Sequence, residues 1–165
     1  MMAAKRNVDL LSAEVRAGID QWVAKYPPEQ KQSAVMAALK LVQEENGWLS
    51  TELMDAVAEY LEMEPISVYE VATFYTMYDL KPVGRHRISV CTNISCMLCG
   101  SAEIMEYLEK KLAVKRGETT ADGKYTLIEV ECLAACAGAP MFMIGKQFYE
   151  NLTTDKIDEI LASIE

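Results

Sequence analysis

Five cysteines fall between positions 91 and 136 of a 165-residue chain, spaced Cys91-x4-Cys96-x2-Cys99 and, after thirty-two intervening residues, Cys132-x3-Cys136. This spacing constrains the fold more than any other feature, because each group follows directly on a segment with strand character: Ile88-Ser-Val-Cys91 and Ile128-Glu-Val-Glu-Cys132. If the two strands are neighbours ending on the same side of a sheet, both loops meet at one edge and four thiolates can converge. An odd number of cysteines gathered in one short stretch is unlike a disulfide framework, which spreads an even set through a secreted domain. Converging soft ligands suit zinc or an iron-sulfur cluster, and a single histidine, His86, leaves little scope for mixed His/Cys zinc sites.

The remaining pattern divides the chain near Leu80. Residues 1–80 carry 6 basic and 13 acidic side chains, and residues 81–165 carry 10 and 12, so the formal charge of -9 is concentrated in the first part. That part, residues 1–80, reads as a helical bundle. After Ser12, a plausible N-cap, Val15, Ile19, Trp22, Val23 and Tyr26 recur at helical spacing until Pro27-Pro28. A second helix is expected over Gln30 to Glu45, with Val35, Met36, Ala38, Leu39 and Val42 on its apolar face and Asn46-Gly47 ending it. A third is expected over Thr51 to Leu61, and a fourth opening on a Ser67-Val-Tyr-Glu70 capping box and running to about Tyr75.

Lys81-Pro-Val-Gly84 breaks the helical pattern and opens a second domain, residues 81–165. Its expected order is a strand over Arg87–Cys91, a helix over Ser101–Leu112 and a turn at Thr119–Gly123. Strands at Tyr125–Glu131 and Met141–Ile144 follow, then a turn at Gly145, a further short strand and a last helix capped by Thr153 or Thr154. The fold class is α/β: a helical bundle followed by a thioredoxin-like domain in which helices pack on a mixed sheet.

Charge and composition exclude several functions. A chain with pI near 4.7 repels a phosphate backbone, so no nucleic-acid partner is expected. No apolar run reaches the ~18 residues of a membrane span and MMAAKRNVDLLSAE has no signal-like apolar stretch, so a cytoplasmic location without membrane insertion is expected. The eight glycines form neither a GxGxxG nor a P-loop pattern, and one histidine assembles no Ser/His/Asp set. The chain therefore has no recognisable nicotinamide or flavin site of its own, and no catalytic residue is expected.

Three chemistries compete for the cysteines. Structural zinc favours tight CxxC pairs, whereas here one CxxC, Cys96-Met-Leu-Cys99, stands against a CxxxC. A catalytic dithiol at Cys96 and Cys99 suits a thioredoxin-like sheet but leaves Cys91, Cys132 and Cys136 unexplained. An iron-sulfur cluster remains, with one complication: Cys91-x4-Cys96-x2-Cys99 plus a distant cysteine also matches the plant-type ferredoxin spacing, which would recruit Cys99 and discard one of the last two.

The flanking residues add a resemblance. Cys91-Thr-Asn-Ile-Ser-Cys96-Met-Leu, Ile128-Glu-Val-Glu-Cys132-Leu-Ala-Ala-Cys136 and Ala139-Pro140-Met141 resemble the family of the 24 kDa 2Fe-2S subunit of NADH:quinone oxidoreductase, respiratory complex I. So do Val71-Ala-Thr-Phe-Tyr-Thr-Met-Tyr78 and Pro82-Val-Gly-Arg85. The resemblance implies one 2Fe-2S cluster bound by Cys91, Cys96, Cys132 and Cys136, with Cys99 outside the ligand set. It implies an adjoining subunit carrying NADH, FMN and a 4Fe-4S cluster, with which the 2Fe-2S centre exchanges one electron during NADH oxidation and quinone reduction. Other peripheral-arm subunits would be further partners, on the cytoplasmic face of the inner membrane if the source is bacterial. The same module serves NAD-dependent formate dehydrogenases and soluble hydrogenases, which stand as the alternative, with a free-standing zinc or dithiol protein as the alternative of a different class.

Further expectations concern the cluster's surroundings and two side-chain groups outside it. Glu129 and Glu131 would lower the cluster's reduction potential if close, while backbone N–H groups around Thr92–Ser95 and Leu133–Ala135 would oppose them by donating to sulfur. The small residues Ala134, Ala135, Ala137, Gly138 and Ala139 would let backbone approach the cluster. Pro140, at the position where thioredoxin-like domains often carry a cis proline, is a candidate cis site. Phe74, Tyr75 and Tyr78 read as packing, and Arg85, His86 and Arg87 as a solvated strand entrance.

Overall fold

A computed structural model describes residues 7–164. Its contacts separate into two compact units, Met1–Pro82 and Val83–Glu165. In the first, a short 3-10 turn, Asn7–Leu10, leads to α1 (Ala13–Val23), whose cap is Ser12: its hydroxyl accepts the Val15 N–H at 3.1 Å. Val15 and Ile19 are buried, while Trp22 and Tyr26 face outward, Trp22 beneath the Lys25 ammonium. After Pro27 the chain makes a 3-10 segment, Pro28–Ala34, and only then α2 (Val35–Asn46). The helix expected from Gln30 thus begins at Val35. Gln30 itself has φ -112° and ψ 28°, which interrupts a continuous α-helical turn at that point.

Gly47, at φ 82°, ends α2 in the left-handed conformation expected of it. α3 (Thr51–Leu61) is capped by Ser50, and α4 (Pro65–Phe74) starts two residues before the expected capping box. Proline at the first helical position lacks only a donor that would have been orphaned and comes with its φ already set, so Pro65 opens the helix and Ser67 lies within its first turn. Ile19, Leu39, Val57, Leu61 and Val68 form the centre of this unit's core. Tyr78 is buried there, donating to the Met36 carbonyl at 2.8 Å, but Phe74 is 77% exposed and packs edge-on against Tyr75. Of the three aromatics expected to pack, only Tyr78 joins the core.

The second unit runs β1 (His86–Cys91), α5 (Ile94–Leu98), α6 (Ser101–Leu112), β2 (Tyr125–Val130), β3 (Phe142–Ile144), β4 (Gln147–Tyr149) and α7 (Thr154–Ser163). The sheet order is β2-β1-β3-β4, with β1 and β2 parallel and the other two pairs antiparallel. A parallel pair needs a crossover, which α6 supplies, whereas β3 and β4 close through a tight turn at Gly145, φ 61°. The mixed sheet agrees with the expectation, as does the short strand β4. The five-residue α5 has no counterpart in the expected order, being too short for a periodic signal, and Met141 stands just outside β3.

Ile88, Val90, Leu127 and Phe142 of the sheet pack with Met105 and Leu108 of α6 and Ile157 of α7, all fully buried. Burial of each such side chain contributes roughly 1.5–3 kcal/mol. The core therefore pins β1 between β2 and β3, and with it the point at which the first cysteine leaves the sheet.

Candidate functional site

The register of β1 on β2 sets the geometry. His86 pairs with Tyr125 and Cys91 with Val130, so two parallel strands end together and release both cysteine loops at the same edge. The Thr92 N–H donates to the Val130 carbonyl at 3.1 Å, carrying the pairing one residue past Cys91. On the other side, the Cys91 N–H donates to the Met141 carbonyl at 3.2 Å. Asn93 then caps α5, its side chain accepting the Ile94 N–H at 2.8 Å, and the helix turns Cys96 inward. In the second loop Ala134 takes φ 58° between Cys132 and Cys136, Cys136 opens a 3-10 turn through Gly138, and the Ala139–Pro140 bond is cis.

All five thiols are free. Cys91 and Cys96 are buried with Met141, against Leu133, Ala135 and Ala139, while Cys132, Cys136 and Cys99 are exposed. Burial pushes the Cys91 thiol up, but backbone N–H groups of Asn93 and Leu133, with hydrogen bonds to the Cys96 and Cys132 thiols, outweigh it and hold Cys91 below its ordinary value. Cys96 moves the other way. Burial, the Cys91 thiol and the charge of Cys136 raise it to about 11, against a backbone hydrogen bond from Met141. The Ala134 N–H adds a donor to Cys132 Sγ at 3.3 Å. The two loops therefore bring Cys91, Cys96, Cys132 and Cys136 within mutual influence and aim amide donors at sulfur; Cys99 is not among the groups that act on Cys91 or Cys96.

Among the described residues, no three His, Cys, Asp or Glu side chains gather around one point as ligands of a single metal ion. A 2Fe-2S cluster makes a different demand: four thiolates shared between two irons, with bridging sulfides between them. The donor set fits that demand in number, softness and source, two cysteines from each of two loops at one sheet edge, with N–H groups available to the sulfurs.

Glu129 is not a free negative charge. The Thr92 hydroxyl and Arg116, whose Nη1 lies 2.8 Å from its carboxylate, hold its carboxyl below the usual range. Gly138 has a reason apart from the cysteines, because a Cβ there would stand 2.5 Å from the Glu150 side chain. Nothing local in the sequence marks Arg116, or the backbone of Met141, as a neighbour of the site, since each acts through a contact the spacing does not encode.

Residues 19–165 match the model of the thioredoxin-like [2Fe-2S] ferredoxin family. The chain belongs to that family. Among its relatives it is similar to the E subunit of NADH-quinone oxidoreductase: 49% identical over 158 residues to that of Rickettsia prowazekii, covering 95% of this chain and 85% of the relative. To the second form of the same subunit in Rhizobium meliloti it is 42% identical over 149 residues, 90% of this chain and 88% of the relative. The crystal structure of an air-oxidised NAD+-reducing [NiFe]-hydrogenase superposes on 76% of the chain with a TM-score of 0.67 and 20% identity. This chain spans 22% of that hydrogenase chain, a likeness of fold. Among the described residues no helix is long and apolar enough to cross a membrane.

Proposed function

We propose that this chain is the electron-transfer subunit of a complex I type NADH dehydrogenase module, holding one 2Fe-2S cluster on Cys91, Cys96, Cys132 and Cys136. Bound there, the cluster would take up and release one electron at a time, exchanging it with FMN in an adjoining NADH-binding subunit. The observation that carries the reading is the pair of loops released together by β1 and β2, with Cys91 and Cys96 buried side by side with Met141 and Cys91 Sγ 3.8 Å from the carbonyl of Glu131, the residue before Cys132. The chain's own residues have three tasks. The N–H groups of Asn93, Leu133 and Ala134 oppose the negative charge at sulfur. Met141, Leu133, Ala135 and Ala139 shield the buried thiols. The rigid strand pair fixes the spacing of the loops.

Relatives at 42–49% identity support the quinone oxidoreductase module over a formate dehydrogenase or hydrogenase. The flavin- and NADH-binding subunit and other peripheral-arm subunits are the proposed partners, on the cytoplasmic face of the membrane in a bacterium. Anaerobic purification tests the reading: about two iron and two sulfide per chain, with a one-electron paramagnetic signal after reduction, is expected. Serine at any of the four cysteines should abolish the signal and Cys99→Ser should leave it. Colourless protein carrying zinc would overturn the assignment.

A further inference from the structure

Arg116 lies between α6 and β2, outside both cysteine loops, yet it is tied to them. Its Nη1 is 2.8 Å from Glu129 Oε2, its Nε is 3.6 Å from Glu109 Oε1, and its backbone N–H donates to the same Glu109 oxygen at 3.3 Å. Glu129 stands on β2 opposite Val90, the residue before Cys91, and three residues before Cys132; the next residue, Val130, accepts the Thr92 N–H at 3.1 Å and faces the Thr92 hydroxyl at 3.5 Å. Glu129 thus rides on the strand that delivers the second cysteine loop, beside the end of the strand that delivers the first. One guanidinium holds it.

We propose that Arg116 is an electrostatic positioning residue for the cysteine centre, its charge and fork balancing Glu129 so that the carboxylate does not act unopposed on the loops. This inference rests on the 2Fe-2S reading above. Adding an electron to an already anionic centre is opposed by nearby negative charge and favoured by positive charge. With Arg116 present, two carboxylates share one cation. Without it, Glu129 keeps its place on β2 but loses its counter-charge. The Arg116 and Glu129 side chains are 46% and 41% exposed, so solvent and salt screen the pair and its effect is moderate.

Potentiometric titration of the purified full chain, followed by electron paramagnetic resonance, reads the effect directly. At the wild-type midpoint, R116Q should lower the ratio of reduced to oxidised centre by about threefold and E129Q should raise it by about as much. The double variant R116Q/E129Q should return close to wild type, R116K should stay near it, and added salt should shrink both single shifts. A merely structural role would move both single variants in one direction or change only cluster content and thermal stability. Shifts of the same sign, or an E129Q potential at or below that of wild type, would overturn the inference while leaving the cluster reading intact. A wild-type chain with no 2Fe-2S signature would overturn the cluster reading itself and this inference with it.

Discussion

Gly84 has no room for a side chain. A Cβ there would stand 2.8 Å from the Tyr125 carbonyl carbon and 3.0 Å from its nitrogen, and its own N–H donates to Thr126 Oγ1 at 2.6 Å. The obstacle is backbone of β2, which cannot step aside without disturbing the register that releases the second loop. Gly84→Ala is therefore expected to cost about 1–3 kcal/mol by overpacking, read as a fall in the urea midpoint. Asp158 supplies a pH dependence through a single side chain. It accepts from Tyr107 Oη at 2.6 Å and pairs with Lys111 at 3.0 Å, and those two contacts hold its carboxyl below the ordinary 3.8. A depressed carboxyl stabilises the fold above its unfolded value and loses that contribution as pH falls through the folded one. Wild type and Asp158→Asn should therefore differ most above about pH 5 and converge as pH falls through the depressed folded value in urea unfolding; a gap that widened in acid would contradict this.

Helix starts separate two serines that look alike in the sequence. Ser50 caps α3, accepting the Leu53 N–H at 3.3 Å, whereas Ser67 sits inside α4, whose first residue is Pro65. Ser50→Ala should lose about 1 kcal/mol of stability, while Ser67→Ala should lose little, because alanine is the better helix former at an interior position. Equal losses at the two sites would mean that α4 begins at Ser67 after all. The same contrast explains which helix starts are readable. Ser12, Ser50 and Thr153 each precede an apolar-periodic run and each accepts an N–H three residues on, so α1, α3 and α7 start where expected. Pro65 acts through φ and a missing donor, and Gln30 through a local backbone break, neither of which periodicity registers, so α4 and α2 start away from their expected positions.

Each of the two units that make up the molecule has a core of its own, one centred on Leu39, Val57 and Leu61 and the other on Ile88, Leu127 and Phe142. A fragment of residues 83–165 should then assemble the same cluster spectrum as the full chain; a fragment that holds iron poorly would show that the helical unit supports the loops. The cysteine spacing, the strands leading into Cys91 and Cys132 and the helical first part are legible in the sequence because they rest on local chemistry: donor type, alternation and periodicity. So is the expectation that loop N–H groups face the sulfurs, which Asn93, Leu133 and Ala134 bear out. Pairing β1 in parallel with β2, so that Cys91 stands opposite Val130, is a long-range choice made by the core beneath the sheet. The hydrogen bond from the Cys91 N–H to the Met141 carbonyl and the placement of Arg116 on Glu129 exist only once that choice is made. Residue type and spacing along the chain settle which atoms are able to bind a cluster. Which of those atoms meet, and what charge surrounds them, is settled by packing in three dimensions, because contacts between residues far apart in the chain carry no local signal.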